Sequence, residues 1–260
     1  MRKIITAILL IIFLVSGGVI AFHFYEEHAM EASSARARDF FEEIAPNQGH
    51  SMGIIDGSTE NAGHAGMEAA ADATGMDFAA IRSHFGNDDI VAHLLIEGTT
   101  IDYLVVQAED NEFYLTHDIW RNHAASGWIF LDYEADIASP DHNWIIYGHN
   151  MQRDHMFHSI RRYTDYDFFR NHRIINLTTP FGVYLWEIFS FYSTPINFSY
   201  NTVNFTNPET LEYMLKHFKR MSRHNAGITV TSEDRILTLS TCTNRDINER
   251  YVLHARLVNR

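Results

Sequence analysis

The sequence predicts a mainly β fold, a mixed antiparallel sheet or barrel with a few helices around it. Three observations point there. After Phe78, short runs rich in β-branched and aromatic residues keep arriving with turn residues between them and no helix separating one from the next. The last two runs, Ile236–Cys242 and Tyr251–Val258, alternate in polarity and are joined closely enough to pair antiparallel. The clearest helical pattern stands once, before these two strands, rather than alternating with strands as a Rossmann-type fold requires.

The N-terminal third has a different character. Ile4 to Phe22 is a run of 19 uncharged residues, preceded by Arg2 and Lys3 and followed by Glu26 and Glu27. It is just long enough to cross a bilayer as a helix, and its flanks leave the N-terminus in the cytoplasm with the remainder outside. A cleaved signal peptide is the competing reading. Phe22, Phe24 and Tyr25 crowd the place where a small-x-small cleavage site belongs, which favours an uncleaved anchor. Glu31 to Ile44 suits a helix, whereas Pro46 to Gly75 suits a flexible spacer. His50 and His64 in it lack companions at metal-ligand spacing. The expected organisation is a cytoplasmic N-terminus and anchor over 1–25, an extracellular, partly helical spacer over 26–77 and a catalytic-sized domain over 78–260.

Within that domain, Ile90 to Glu97 and Ile101 to Gln107 read as strands joined at Gly98-Thr99-Thr100. Asn111 to His117 reads as a polar turn and Gly127 to Tyr133 as another strand. Asn143 to His149 (NWIIYGH) alternates so that Asn143, Ile145, Tyr147 and His149 share a face, with Gly148 permitting a sharp exit before His149. A histidine there either caps the surface or projects into a cleft. Asn150 to Tyr163 contains a predicted helix with Met156, Phe157, Ile160 and Tyr163 as core residues. A metal held by His149, His155 and His158 lacks both an HExxH-like arrangement and a partner carboxylate, so none is predicted. Ile174 to Thr179 and Gly182 to Ser193 form strands around Pro180-Phe181-Gly182. The helix that follows has Thr206 or Asn207 as N-cap, Pro208 in its first turn, an apolar stripe of Leu211, Met214, Leu215 and Phe218, and Lys216, Lys219 and Arg220 toward its C-terminus.

At 260 residues, 46% hydrophobic and 20% charged, the chain has ordinary globular composition. Its net charge of -13 argues against a nucleic-acid surface. It has one cysteine, Cys242, so no internal disulfide is available to an exported domain. The thiol is inert and buried, an intermolecular crosslink, or reactive. Alternation sends Leu237, Leu239 and Thr241 one way and Thr238, Ser240 and Cys242 the other, and antiparallel pairing sets Arg250 beside Cys242. Arg250 alternatively forms a surface salt bridge with Glu249 or Asp246.

Tyr147-Gly148-His149-Asn150-Met151, Met156-Phe157, Leu237-Thr238-Leu239-Ser240-Thr241-Cys242 and then Arg250 together resemble the sortases, over roughly Phe78 to the C-terminus. The helix before the cysteine strand, with the segments Thr99–Asp118 and Gly127–Tyr133, is similar to the class B branch. The resemblance implies a closed β-barrel of about eight strands with peripheral helices, one N-terminal and one inserted before the cysteine strand. It implies a membrane-anchored cysteine transpeptidase, with the domain outside the plasma membrane. A Pro-x-Thr-type C-terminal sorting signal on a secreted protein would be cut after threonine through a thioester on Cys242, and a peptidoglycan-precursor or pilin amine would resolve it. His149 would be the general acid and base, and Arg250, which stays protonated, would donate to the oxyanion. Asn111, Leu115, Tyr147, Ser240 and Thr241 match groove or oxyanion positions, though each also suits a core or turn. No cofactor is required. Asn244 stands where some class B members carry an acid, and Trp128 where a small residue is usual. Two rivals remain: an anchored cysteine hydrolase using water, and a non-catalytic surface module with a structural Cys242.

Overall fold

A computed structural model describes residues 2–44, 75–139, 142–151, 154–243 and 248–258. Eight strands close into a barrel: β1 (Ile90–Leu95), β2 (Asp102–Val106), β3 (Phe130–Leu131), β4 (Asn143–Tyr147), β5 (Ile174–Thr179), β6 (Gly182–Pro195), β7 (Ile236–Cys242) and β8 (Glu249–Leu257). Their order around the wall is β1-β2-β3-β4-β7-β8-β6-β5. Two neighbouring pairs, β2/β3 and β4/β7, are parallel and the rest antiparallel. Closure leaves no unpaired sheet edge.

The β7 alternation sorts the interior from the exterior packing. Leu237 and Leu239 enter the barrel core with Tyr251, Leu253 and Ala255 of β8. The opposite face of these strands meets a second core built by the long helix, where Leu211, Leu215 and Phe218 pack with Ile236 and Val252. Burying each large apolar side chain is worth about 1.5–3 kcal/mol relative to exposure, which is how that helix is held to the wall. This helix spans Pro208–Met221; Asn207 is its N-cap and accepts from the Glu209 N–H.

The other helices are peripheral: α1 (Arg2–Ile44), α2 (Phe78–Phe85) and α3 (Tyr166–Asn171), so the helix Pro208–Met221 is α4. Toward the end of α1, Ala37 is buried, Phe40 stacks on His84 of α2 at 3.5 Å and the Arg36 guanidinium lies over Trp120. Earlier in α1 the described apolar side chains are bare, with Phe13 77% and Val19 64% exposed. Among the described residues no helix is long and apolar enough to cross a membrane. Residues 26–44 of the expected spacer continue α1, while 45–74, with His50 and His64, lie outside the described residues, as do Asp246 and Asn244.

Two sequence expectations are corrected. The strand over Gly127–Tyr133 contracts to Phe130–Leu131, because Gly127 is left-handed (φ 55°) and the Trp128 N–H goes to the Tyr114 carbonyl instead of a ladder partner. The expected helix within Asn150–Tyr163 begins only at His158, as a 3-10 helix to Thr164. Asp154 and Met156 have positive φ, and Met156 forms an isolated bridge with Asn150, so neither is helical.

Candidate active site

Strand register assembles the site from residues that are distant in sequence. In the antiparallel β7/β8 ladder Cys242 is paired directly with Arg250. In the parallel β4/β7 ladder the last pair is Tyr147 with Ser240, and the Gly148 N–H still donates to the Ser240 carbonyl. Continued two residues, that register sets His149 level with Cys242. The thiol therefore stands at the end of a strand with Arg250 paired to it on one side and the chain that leaves β4 toward His149 on the other. Directly opposed side chains have Cβ atoms about 4.5–5.5 Å apart, within reach of a shared substrate.

All three residues are half-buried rather than sealed. His149 Nε2 donates to the Leu115 carbonyl at 2.9 Å, since a carbonyl only accepts. The neutral ring then carries its lone pair on Nδ1. Two glycines make this arrangement possible. A Cβ on Gly127 would lie 2.3 Å from the Tyr114 carbonyl oxygen and 2.8 Å from that of Leu115, so only glycine lets the chain pass under the loop that holds His149. A Cβ on Gly148 would meet the Phe157 ring at 2.8 Å; its role is close packing beside His149 as well as the expected exit from the strand.

The expected groove residues divide. Leu115 is 40% exposed beside His149. Asn111 and Tyr147 converge on one buried carboxylate, each donating to Asp132 Oδ2, at 3.0 and 2.9 Å. Burial and the adjacent Asp132 charge push the Tyr147 hydroxyl well above its ordinary range, so it remains a donor. Ser240 is buried and shares a 2.8 Å hydrogen bond with the Tyr200 hydroxyl. Thr241 turns into the barrel interior, away from the thiol, and its buried hydroxyl has no hydrogen-bond partner among the described residues. Trp128 is a core residue, 1% exposed, whose indole N–H donates to the Leu104 carbonyl.

Sequence reasoning missed Asp132 and Tyr200. An aspartate closing the apolar run GWIFLD was a usable signal, because a buried carboxylate must be hydrogen-bonded. Tyr200 had none: it lies in the irregular connection between β6 and α4. His155 and His158 are both buried, and His158 Nδ1 faces Asn150 Oδ1 at 2.7 Å.

A half-buried thiol at the end of a strand, paired across the ladder with an arginine, on a closed eight-stranded barrel, suits a cysteine acyl-transfer enzyme. The comparisons identify which: residues 94–258 match the Sortase domain family, and the chain belongs to the sortases, in their class B branch. Sortases are cysteine transpeptidases. Sortase B of Listeria monocytogenes serovar 1/2a is 38% identical over 176 residues, covering 67% of this chain and 72% of that protein. The X-ray structure of Clostridium perfringens sortase B superposes with TM-score 0.66 at 35% identity, covering 70% of this chain and 100% of that one. A Staphylococcus aureus sortase B-substrate complex gives TM-score 0.69 at 27% identity, covering 90% and 97%.

Proposed function

We propose that this class B sortase is held at the plasma membrane by Ile4–Phe22 and transfers secreted proteins, cut at a Pro-x-Thr-type sorting signal, to a cell-wall or pilin amine. The observation that supports the reading is the β7/β8 register that pairs Cys242 with Arg250, beside a β4/β7 register that runs to Tyr147 and Ser240, two residues short of His149 and Cys242. Cys242 gives its proton to His149 Nδ1 and the resulting thiolate attacks the threonine carbonyl, whose π electrons move to oxygen, where Arg250 donates hydrogen bonds to the oxyanion. Collapse breaks the C–N bond while His149 gives its proton to the departing amine, leaving a thioester. An incoming amine then loses a proton to His149, attacks the thioester and restores the thiolate. Leu115, Asn111, Tyr147 and Ser240 line or brace the groove in which the signal lies.

Anchoring is supported by the sequence run and by the bare apolar side chains along the first half of α1. The region 1–25 would hold the cytoplasmic end and anchor, 26–77 the extracellular spacer, and 78–260 the catalytic domain. Such an anchor keeps the site where exported substrates emerge.

Intact-mass spectrometry of the detergent-purified full chain with Pro-x-Thr-Gly and Pro-x-Thr-Asn peptides tests the function. A thioester adduct on Cys242, converted to an amine-ligated product when amines are added, is expected. Adducts that yield only hydrolysed peptide would replace transpeptidation with hydrolysis, and a folded chain whose thiol neither forms an adduct nor alkylates would end the catalytic reading.

A further inference from the structure

The segment that follows His149 folds back on the nucleophile's strand through side chains that the acyl-transfer steps do not use. We propose that Asn150 and His158 form a tether that holds the Cys242 backbone in line with the end of β4, and so act as positioning residues for the nucleophile. This rests on the reading of Cys242 as the attacking group.

The β4/β7 ladder shows why a tether is needed. The Gly148 N–H donates to the Ser240 carbonyl at 3.2 Å, and the next rung of a parallel ladder would run from the Asn150 N–H to the Cys242 carbonyl. β4 has ended by then, and Asn150 is turned back into an isolated bridge with Met156. Its side chain supplies the rung instead, with Nδ2 donating to the Cys242 carbonyl at 2.7 Å. A backbone carbonyl at a strand end is otherwise left to fray or to water.

The orientation of Asn150 is determined by its partners. The Cys242 carbonyl accepts only, so the amide nitrogen faces it and Oδ1 is left for His158 Nδ1 at 2.7 Å. His158 therefore carries a proton on Nδ1, whether neutral or charged. Its Nε2 faces the Asp154 carboxylate at 3.7 Å, so charging the ring leaves the bond to Asn150 intact. The ring is 6% exposed, which removes competing water from the bond.

Residues just before His158 hold the other side of the site. The Phe157 N–H donates to the His149 carbonyl at 2.9 Å, and the Met156 N–H donates to the Tyr103 hydroxyl at 3.1 Å. One short segment thus secures the backbones of both His149 and Cys242. A displacement of about 1 Å at a reacting atom is worth on the order of 100-fold in rate.

The test uses full-length chain in detergent, with kcat and KM for a Pro-x-Thr peptide, the alkylation rate of Cys242 by iodoacetamide, and Tm. Asn150→Ala is expected to lower kcat about 30-fold with KM within about twofold, and His158→Ala about 10-fold. The double variant should be no worse than Asn150→Ala, because His158 acts only through that amide. His158→Asn, whose amide nitrogen stands where Nδ1 does, should restore kcat to within about threefold, whereas His158→Gln, which mimics Nε2, should not. Multiplicative losses, equal rescue by both amides, or a decline that follows the folded fraction alone would each overturn the tether. If the wild-type chain forms no acyl-enzyme, the functional reading fails separately. The tether is then judged by alkylation, expected to change several-fold in Asn150→Ala and to return toward wild type in His158→Asn.

Discussion

His149 and His254 address the same face of β7 from two ends, and they have opposite fates. His254 is paired with Thr238, four residues or about 13 Å of strand from Cys242. It is fully buried, its ring stacked on Phe218 of α4 at 3.8 Å. Its hydrogen bonds form a directed chain. Asn143 Nδ2 donates to the Thr202 carbonyl, so its Oδ1 accepts from the Thr238 hydroxyl; Thr238 Oγ1 then accepts from His254 Nδ1, and His254 Nε2 accepts from the Tyr192 hydroxyl. Burial pushes the His254 pKa down to about 3. His149 is only half-buried and has one ring nitrogen bonded to a carbonyl. Closure of both ring nitrogens in a dry core makes a histidine a neutral brace, while an open second nitrogen at a cleft leaves it able to exchange protons.

The sharpest way to break this comparison is to remove the thiol that the catalytic end serves. Cys242→Ala should abolish the acyl-enzyme adduct in intact-mass spectra while leaving Tm within about 2 °C, since the residue is half-buried and bonded through its backbone. Exchanging roles comes next. His149→Ala should cost about 100- to 10,000-fold in kcat with little change in Tm. His254→Ala should do the reverse: it empties a stacked site, leaves the Tyr192 hydroxyl without its acceptor and removes the bond Thr238 accepts, for a loss of about 2–5 kcal/mol by denaturant titration. Its kcat per folded molecule should remain within about threefold of wild type.

A gentler test uses pH. The unfolded chain protonates His254 near its ordinary value of about 6.5, whereas the folded chain resists until about 3. Between those values the unfolded state binds more protons, so this group's contribution is full above pH 6.5 and is lost as pH falls toward 3. The slope from this one group is at most about 1.4 kcal/mol per pH unit. Thermal melts across pH 4–7 should show it, and His254→Gln should flatten it. The smallest effect is expected at Asp132, which braces Asn111 and Tyr147. Asp132→Asn keeps the shape and weakens two charge-assisted bonds, so KM for the signal peptide should rise about two- to fivefold with kcat nearly unchanged.

The architecture was legible wherever local chemistry spoke for itself. β7 and β8 announced themselves by alternation, and α4 by its cap, proline and stripe. The pairing of Cys242 with Arg250 followed from a short antiparallel connection. Where reading failed, the deciding hydrogen bonds were non-local. The Trp128 N–H is claimed by Tyr114, which shortens β3, and Met156 bridges to Asn150, which keeps both out of a helix. Trp128, unexplained from sequence, proved to be a buried core residue bonded to the Leu104 carbonyl.

The amino-acid sequence by itself determined the mainly β class, the apolar N-terminal run, the lone thiol and the face on which it emerges. Those are properties of composition and of period-two alternation, which need no distant partner. Only the tertiary structure decided that His254, one of the 16 histidines, is sealed away in the core. It also decided that Asp132, rather than substrate alone, orients Asn111 and Tyr147, and that Asn150 completes a ladder β4 had left. The physical reason is register: a parallel pairing between β4 and β7 joins residues 93 apart, as Tyr147 with Ser240, and no local pattern encodes that offset.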